Sequence, residues 1–158
     1  MRFDPPPSHL AQFGTCYVTE TEIACFLEVF GGLPVVLQSE IDLRRTTRFT
    51  VARPLRLADL TNRVVLGRYS VDASMQTGMN RDATRQLAGE RFDDGFDGIV
   101  YRIRHDPQLM LEGLALFCLP GEHPEHFCAP KTDTISAEVL KVASDEFAVV
   151  VLPKASLL

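Results

Sequence analysis

The sequence predicts a single α+β domain with a mixed, mostly antiparallel sheet of about six or seven short strands and two or three helices. Segments with apolar residues at helical spacing are interspersed with short runs rich in β-branched and aromatic residues, which is typical of this fold class. The chain has 158 residues, enough for one compact hydrophobic core and too few for a second large one. No internal repeat or low-complexity tract indicates another architecture.

The first third of the chain predicts a strand, a helix and a second strand. Gly14 to Val18 forms the strand, and Thr19 to Glu22 has the form of a capping box, in which Thr19 accepts from the amide of Glu22. The helix that follows has four apolar residues at core-facing spacing: Ile23, Phe26, Leu27 and Phe30. A glycine pair at 31–32 and Pro34 end this helix, and Leu33 to Leu43 is the next predicted strand.

The middle of the chain contains one well-marked helix. Arg53 to Leu60 alternates as a strand does, whereas residues 61–79 show no sustained period and predict a loop with room for one short helix. Asn80 is a good N-cap for a helix from Arg81 to about Asp94, which Gly95 closes.

The last third is predicted to consist of strands and loops. Ile99 to Tyr101 is a compact strand, and Leu111 to Leu119 is apolar on both faces, so we expect it at the centre of the sheet. Pro120 to Pro130 predicts a loop. Two strands near Ile135 to Val142 and Glu146 to Leu152 then complete the domain.

Charge and hydropathy argue against several classes of partner. The formal net charge is −5, and a uniformly acidic surface repels duplex nucleic acid and anionic membranes. No apolar run reaches transmembrane length, and the N-terminus lacks the apolar core of a signal peptide. We therefore expect a cytoplasmic protein with no membrane contact and no direct contact with nucleic acid.

The cysteines and histidines favour structural roles over metal binding. The four cysteines form no CxxC pair and have mostly apolar neighbours, so we expect free, buried thiols: Cys16, Cys25, Cys118 and Cys128. The histidine cluster His123-Pro124-Glu125-His126 lies in a predicted loop and lacks the helical spacing of metal-ligand pairs. We expect no metal site.

Glu28 is the residue that the pattern itself singles out. It lies about 140° from Ile23 on a helical wheel and is therefore off the apolar stripe. Its neighbours on that side are small and leave room for a ligand to approach the helix: Thr21, Ala24 and Cys25. A solvated glutamate on a surface helix is the alternative interpretation. The sequence contains no GxGxxG, Walker, HExxH or GxSxG motif.

Four segments, in order along the chain, carry a resemblance. They are Arg2-Phe3-Asp4-Pro5-Pro6, then Tyr17-Val18-Thr19-Glu20-Thr21 with Ala24-Cys25-Phe26-Leu27-Glu28, then Asp82-Ala83-Thr84-Arg85-Gln86-Leu87-Ala88 through Gly95-Phe96-Asp97-Gly98-Ile99-Val100-Tyr101, and finally Leu114-Ala115-Leu116-Phe117. Together they resemble the RES domain family over residues 2–117. We accordingly expect one RES-like domain over residues 1–158, with residues 118–158 forming C-terminal strands.

The resemblance implies a fold similar to ADP-ribosyltransferases and a bacterial toxin activity that cleaves NAD, the substrate, at the nicotinamide–ribose bond. Cleavage would be by hydrolysis (NAD glycohydrolase) or by phosphorolysis (NAD phosphorylase), without a metal. The implied partners are NAD, phosphate as a candidate acceptor, and a helical antitoxin of a toxin–antitoxin system.

The resemblance also implies roles for individual residues. Glu28 would stabilise the oxocarbenium-like ribose or hold a ribose hydroxyl. Arg2 would bind pyrophosphate or ribose oxygens. Tyr17 would pack on nicotinamide, or alternatively serve as a core residue that positions the helix. Tyr101 and Arg104 complete the predicted NAD-binding set, although Tyr101 alone is typical of a core residue.

Two departures from the family pattern leave alternatives open. Isoleucine occupies position 103, where the family has serine, so a polar ligand group aimed there would lack a partner; Ser70 or Ser74 are candidate substitutes. In the family, a further strand and another arginine lie upstream of the segment that corresponds to the one starting at Arg2 here. If that strand is missing, a homodimer or the antitoxin could cover the exposed edge. The competing hypotheses are a catalytically degenerate RES-like protein that binds a nucleotide or a partner, and a protein ADP-ribosyltransferase.

Overall fold

Strands and helices alternate along the chain in the computed structural model, which describes residues 2–68, 80–119 and 127–154. A 3₁₀ turn at Pro7–His9 precedes eight strands and five helices in these residues. In chain order these are β1 (Gly14–Thr19), α1 (Glu22–Phe30), β2 (Val35–Leu37), α2 (Gln38–Asp42), β3 (Thr46–Val51), β4 (Leu57–Asp59), α3 (Arg63–Arg68), α4 (Arg81–Asp93), β5 (Gly98–Arg102), β6 (Glu112–Cys118), β7 (Phe127–Asp133), α5 (Ala137–Phe147) and β8 (Val150–Leu152). The predicted α+β class is confirmed.

The described strands form one four-stranded sheet, in the order β1-β6-β5-β4, and two separate strand pairs, β2 with β8 and β3 with β7. The β1–β6, β5–β6 and β3–β7 pairs are antiparallel, and the other two are parallel. The mixed, mostly antiparallel character is therefore confirmed, but the strands divide among three sheets. β6 lies at the centre of the largest sheet, as its two apolar faces predict.

Two apolar clusters form the core. The first lies between one face of the four-stranded sheet and α4, and it contains Phe3, Leu87, Ile99 and Phe117. The second surrounds α1 and is completed by α5, the β2–β8 pair and Ile103. The helix that carries Glu28 is thus anchored by the second cluster, and the N-terminal segment is anchored by the first.

The two helices with clear sequence signals begin close to where the sequence places them. α4 starts at Arg81, and the Asn80 side chain accepts from the amide of Ala83 at 3.1 Å. Gly95 follows this helix with a φ of +74°, a conformation that favours glycine. In α1, however, the predicted capping box is wrong. Because β1 continues to Thr19, the helix starts later, and Thr21 is the N-cap that accepts from Ala24.

Other predicted boundaries also need correction. The strand expected over 33–43 ends at Leu37, where the chain turns into α2, and the strand expected over 53–60 is limited to β4. Residues 127–130, expected in a loop, belong to β7, which pairs with the unpredicted β3. Both strands have mostly exposed residues and no alternation of burial, so they carry little local signal.

The strand expected at 135–142 is a helix, α5. The Ser136 hydroxyl accepts from the amide of Val139 at 3.2 Å and caps its start. Val139 and Ala143 are four residues apart and both buried, so the apolar spacing that matters here is helical. Residues 118–158 therefore form two strands and a helix within the described part, and not strands alone.

All four cysteines are free thiols, as predicted, but they are not all buried. Cys25 lies on an exposed side of α1, and Cys128 lies on the exposed β3–β7 pair, whereas Cys16 and Cys118 are partly covered on adjacent strands. Among the described residues, no helix is both long enough and apolar enough to cross a bilayer.

Candidate active site around Glu28

Glu28 occupies the second turn of α1, on the side of the helix that faces the end of β5. Phe26, Leu27 and Phe30 bury the opposite side of the helix in the second apolar cluster and so fix the direction of the Glu28 side chain. The carboxylate is half-buried, and its Oε1 atom has no hydrogen-bond partner among the described residues. Burial raises the pKa of Glu28, and the nearby positive charges only partly oppose this effect.

Tyr101, near the end of β5, places a hydroxyl group beside this carboxylate. Its phenol group lies beside the Glu28 side chain and lowers the pKa of that carboxyl. The ring lies across Gly113 of β6, where a Cβ atom would be 2.5 Å from Cζ, so only glycine leaves room for it. Burial and the Glu28 charge raise the pKa of Tyr101, which therefore stays a neutral hydrogen-bond donor.

The Arg2 side chain lies over the Tyr101 ring. Its guanidinium carbon lies 5.0 Å from the ring centroid, and Nη1 donates to the carbonyl of Arg102 at 3.3 Å. The main chain is held as well, because the buried hydroxyl of Thr84 donates to the Arg2 carbonyl at 2.6 Å. Burial lowers the pKa of Arg2, while the Glu28 charge works in the opposite direction. Arg2 is thus an ordered cation beside the carboxylate.

Tyr17 fixes the N-terminal segment more than it lines the site. Its hydroxyl accepts from the amide of Phe3 at 2.7 Å and donates to the Asp4 carboxylate at 3.1 Å. Its ring meets Tyr101 edge-to-face, with centroids 6.4 Å apart. The two tyrosines project from the same sheet face over the narrow residues of β6, since Tyr17 pairs with Ala115 and Tyr101 pairs with Gly113. Burial raises the pKa of Tyr17.

Arg104 supplies the second positive charge near Glu28, immediately after β5. Its side chain is exposed, and its charge acts on both Glu28 and Arg2. The Nε group donates to Nε2 of His105 at 3.0 Å. Arg104 therefore has its Nε group engaged by His105, and its exposed guanidinium makes it a candidate ligand group.

The five predicted site residues come together in one cluster. The rings of Tyr17 and Tyr101 are in contact, and the Arg2 guanidinium lies over the Tyr101 ring. Glu28 and Arg104 interact electrostatically with Arg2, and Glu28 also interacts with Tyr101. The cluster combines a carboxylate with raised pKa, two guanidinium groups and two neutral phenols. Such a set can bind an anionic ligand through the arginines and stabilise a developing positive charge through the carboxylate.

Ile103 lies apart from this cluster. Its side chain is fully buried in the second apolar cluster, packed with residues of α1 and α5. It presents no surface to a ligand beside Glu28. A ligand there would therefore not face Ile103, and the unpaired polar group expected from the sequence does not follow. Ser70, Ser74 and the His123–His126 cluster lie outside the described residues.

Three residues that sequence reasoning missed support the site. Thr84 anchors Arg2, Gly113 makes room for Tyr101, and His105 contacts Arg104. Only His105 carried a local signal, a titratable ring directly after a predicted site arginine. Within residues 2–68, 80–119 and 127–154, no group of three or more His, Cys, Asp or Glu side chains is arranged to hold a metal ion.

The fold and the cluster define an α+β domain with a carboxylate–arginine–tyrosine site at the end of its central sheet. A comparison with protein families matches the RES domain over residues 1–140. The chain therefore belongs to the RES domain family, and the match extends past residue 117, where the resemblance in the sequence ends. Neither the curated proteins nor the solved structures contain a match to this chain. The similarity to ADP-ribosyltransferases stays a prediction.

Proposed function

We propose that this protein cleaves NAD at the bond between nicotinamide and ribose. The observation that carries the proposal is the Glu28 carboxylate, half-buried beside Arg2, Arg104 and the Tyr101 hydroxyl, with one oxygen lacking a hydrogen bond. A carboxylate with little solvation and few donors keeps more of its charge available to a cationic transition state. Membership of the RES domain family independently favours NAD as the substrate.

Glu28 would act on the ribose. When the C1′–N1 bond breaks, nicotinamide leaves as a neutral base with the bonding electron pair, and positive charge develops on the ribose ring. The carboxylate would stabilise that charge directly or through a ribose hydroxyl. The oxygen of a water molecule or a phosphate ion then forms the new bond to C1′. With water as acceptor, the proton that it loses passes to Glu28 or to solvent.

The two arginines would hold the anionic part of the substrate. Guanidinium groups bind phosphate oxygens through paired hydrogen bonds, and the charges of Arg2 and Arg104 both act on the Glu28 carboxylate. Binding the pyrophosphate there orients the scissile bond relative to Glu28. Phosphate itself fits the same groups, which supports phosphorolysis as an alternative to hydrolysis.

Tyr101 and Tyr17 would position the other residues of the site. Tyr101 places its hydroxyl beside the Glu28 carboxylate and supports the Arg2 guanidinium on its ring. Tyr17 secures the segment that begins at Arg2, through Phe3 and Asp4. The Tyr17 contacts favour positioning over direct packing on nicotinamide.

Nicotinamide release from NAD by the purified protein, with and without phosphate, tests the proposal. Glu28→Gln removes the charge and keeps the shape, and we expect a loss of at least about 100-fold in kcat. Glu40→Gln, at an exposed position of α2, is the matched control and is expected to behave as wild type. The absence of release by the wild type, or release unchanged in Glu28→Gln, would refute the proposal.

ADP-ribose, ADP-ribose 1″-phosphate and labelled protein are distinguishable products of the same assay. Free ADP-ribose identifies hydrolysis, and the phosphorylated product identifies phosphorolysis. Transfer of label to protein identifies an ADP-ribosyltransferase. NAD binding by calorimetry without any product identifies a degenerate, ligand-binding member of the family.

Family membership also supports a proposed biological role as a cytoplasmic toxin restrained by a helical antitoxin. NAD loss would then stop growth when the protein is expressed alone. Expression of the wild type is expected to arrest bacterial growth and lower cellular NAD, whereas Glu28→Gln is expected to do neither. Equal toxicity of both proteins would contradict this role.

A further inference from the structure

His105 lies where the end of α1 meets the exposed arginine of the site. We propose that His105 is a positioning residue, which holds the Arg104 guanidinium beside Glu28 and ties it to the end of the helix that carries Glu28. The inference rests on the proposed function, because it assigns Arg104 to substrate binding. It adds a residue that neither the family resemblance nor the sequence pattern assigns to the site.

The first argument is the contact between the two side chains. Nε of Arg104 donates to Nε2 of His105 at 3.0 Å. An exposed arginine has several accessible rotamers, and holding it in one of them costs conformational entropy. A fixed acceptor for Nε removes part of this freedom before substrate binds, and it leaves the Nη atoms available for a ligand.

The second argument is the close packing of the His105 ring on α1. A Cβ atom at Gly31 would lie 2.6 Å from Cβ of His105, and one at Gly32 would lie 3.2 Å from Cε1. The imidazole therefore rests directly on the backbone at the end of α1, one turn after Glu28. Its position follows that helix, so Arg104 and Glu28 share one rigid support.

The third argument concerns the charge of His105. Its Nε2 can accept from Arg104 only when the ring is neutral, with the proton on Nδ1. Burial, Arg104 and Arg2 all lower the pKa of His105, which favours the neutral ring at neutral pH, and only a neutral ring can accept at Nε2. Arg104 and Arg2 are the charged groups that act on the ring, which lies against the backbone of Gly31 and Gly32 directly after α1.

A matched pair of substitutions separates the acceptor from the ring. His105→Phe keeps the ring and removes the acceptor. His105→Gln removes the ring and retains a polar atom that can accept near the position of Nε2. Both variants lack the titrating imidazole, so a difference between them reports on the hydrogen bond to Arg104.

The first measurement does not depend on catalysis. Arg104 lowers the pKa of Glu28 through its charge, so a displaced Arg104 should leave that pKa higher. A ¹³C NMR titration of the labelled Glu28 carboxyl is expected to give a higher pKa in His105→Phe than in His105→Gln. Circular dichroism melts of both variants report whether the fold is intact.

The second measurement is kinetic. In His105→Phe we expect KM for NAD to rise about tenfold, with a much smaller change in kcat at a pH where Glu28 is ionised. His105→Gln should recover most of the loss. Gly32→Ala, which places a methyl group against the His105 ring and nothing else within 3.4 Å, should raise KM in the same way, whereas Gly67→Ala has open space around it and should match the wild type.

The outcomes separate this inference from the proposed function. If the wild type releases no nicotinamide, the proposed function fails, and the Glu28 titration alone decides the role of His105. If the wild type is active but the folded Phe and Gln variants have the same Glu28 pKa and the same KM, the inference is overturned. A higher Glu28 pKa and a higher KM in Phe than in Gln support it.

Discussion

Substitution of Thr84 by valine should loosen Arg2 without touching the site itself. The Thr84 side chain is completely buried on α4, and its hydroxyl donates to the Arg2 carbonyl at 2.6 Å and to the Arg81 carbonyl at 3.0 Å. Valine has nearly the same shape and no donor. The Arg81 carbonyl belongs to the first turn of α4 and can still accept within the helix, so the lost partner is that of Arg2.

The expected magnitude follows from two opposing contributions. Leaving a buried carbonyl without a donor costs about 1–3 kcal/mol. Replacing the hydroxyl by a methyl group gains about 0.8 kcal/mol of apolar burial. With a mid-range cost of about 2 kcal/mol, the net loss is about 1 kcal/mol in the free energy of unfolding, which lowers Tm by about 2–4 °C for a chain of this length.

Thermal unfolding and NAD kinetics together test the role of Thr84. We expect Thr84→Val to lower Tm by this amount and to raise KM for NAD, because one of the contacts that hold the main chain at Arg2 is lost. Thr134→Val, at an exposed position before α5, is the matched control and should change neither value. A Thr84→Val protein with unchanged Tm and unchanged KM would show that the contact does not hold Arg2.

Three further outcomes follow from the charges around the site. Tyr101→Phe removes a hydroxyl group that lowers the pKa of Glu28, so that pKa should rise. The acid limb of the pH–rate profile for NAD cleavage should then shift toward neutral pH, and an unshifted limb contradicts this prediction. Glu28→Gln should raise Tm at pH 8 and raise it less at pH 5. Burial raises the pKa of Glu28 in the folded state, so the ionised carboxylate destabilises the fold only above that pKa. An equal effect at both pH values contradicts this prediction. Asp106→Ala should lower the free energy of unfolding by about 2–4 kcal/mol in urea denaturation, since three backbone amides in the turn after β5 lose their buried acceptor. Asp145→Ala, on the surface, should lower it far less.

Local patterns in the sequence predict the parts of the fold whose cause is local. Asn80 and Gly95 bound α4 because an amide acceptor at the N-cap and a positive φ after the helix are requirements of single positions. The apolar run of β6 predicts a central strand for a similar reason, since both of its faces are covered. Glu28 follows from helical geometry, which places it away from the apolar side of α1.

The rest depends on partners that are distant in the sequence. β3 becomes a strand by pairing with β7, about 80 residues away, and neither strand shows alternating burial. α5 contains apolar residues that suit a strand or a helix, and the choice follows from packing against α1. In the sequence, nothing distinguishes Thr84 from other residues of its helix, and its contact with Arg2 follows only from the fold.

The order of strands explains why the site needs these distant contacts. β6 separates β1 from β5, and its residues beside the two tyrosines are Gly113 and Ala115. Because these residues are small, Tyr17 and Tyr101 meet across β6, and the Arg2 guanidinium can lie on the Tyr101 ring. A larger residue at 113 would displace Tyr101 and with it both the hydroxyl beside Glu28 and the support of Arg2. The carboxylate and its cation are therefore coupled through one tyrosine, and a change at that tyrosine should alter substrate binding and the ionisation of Glu28 together.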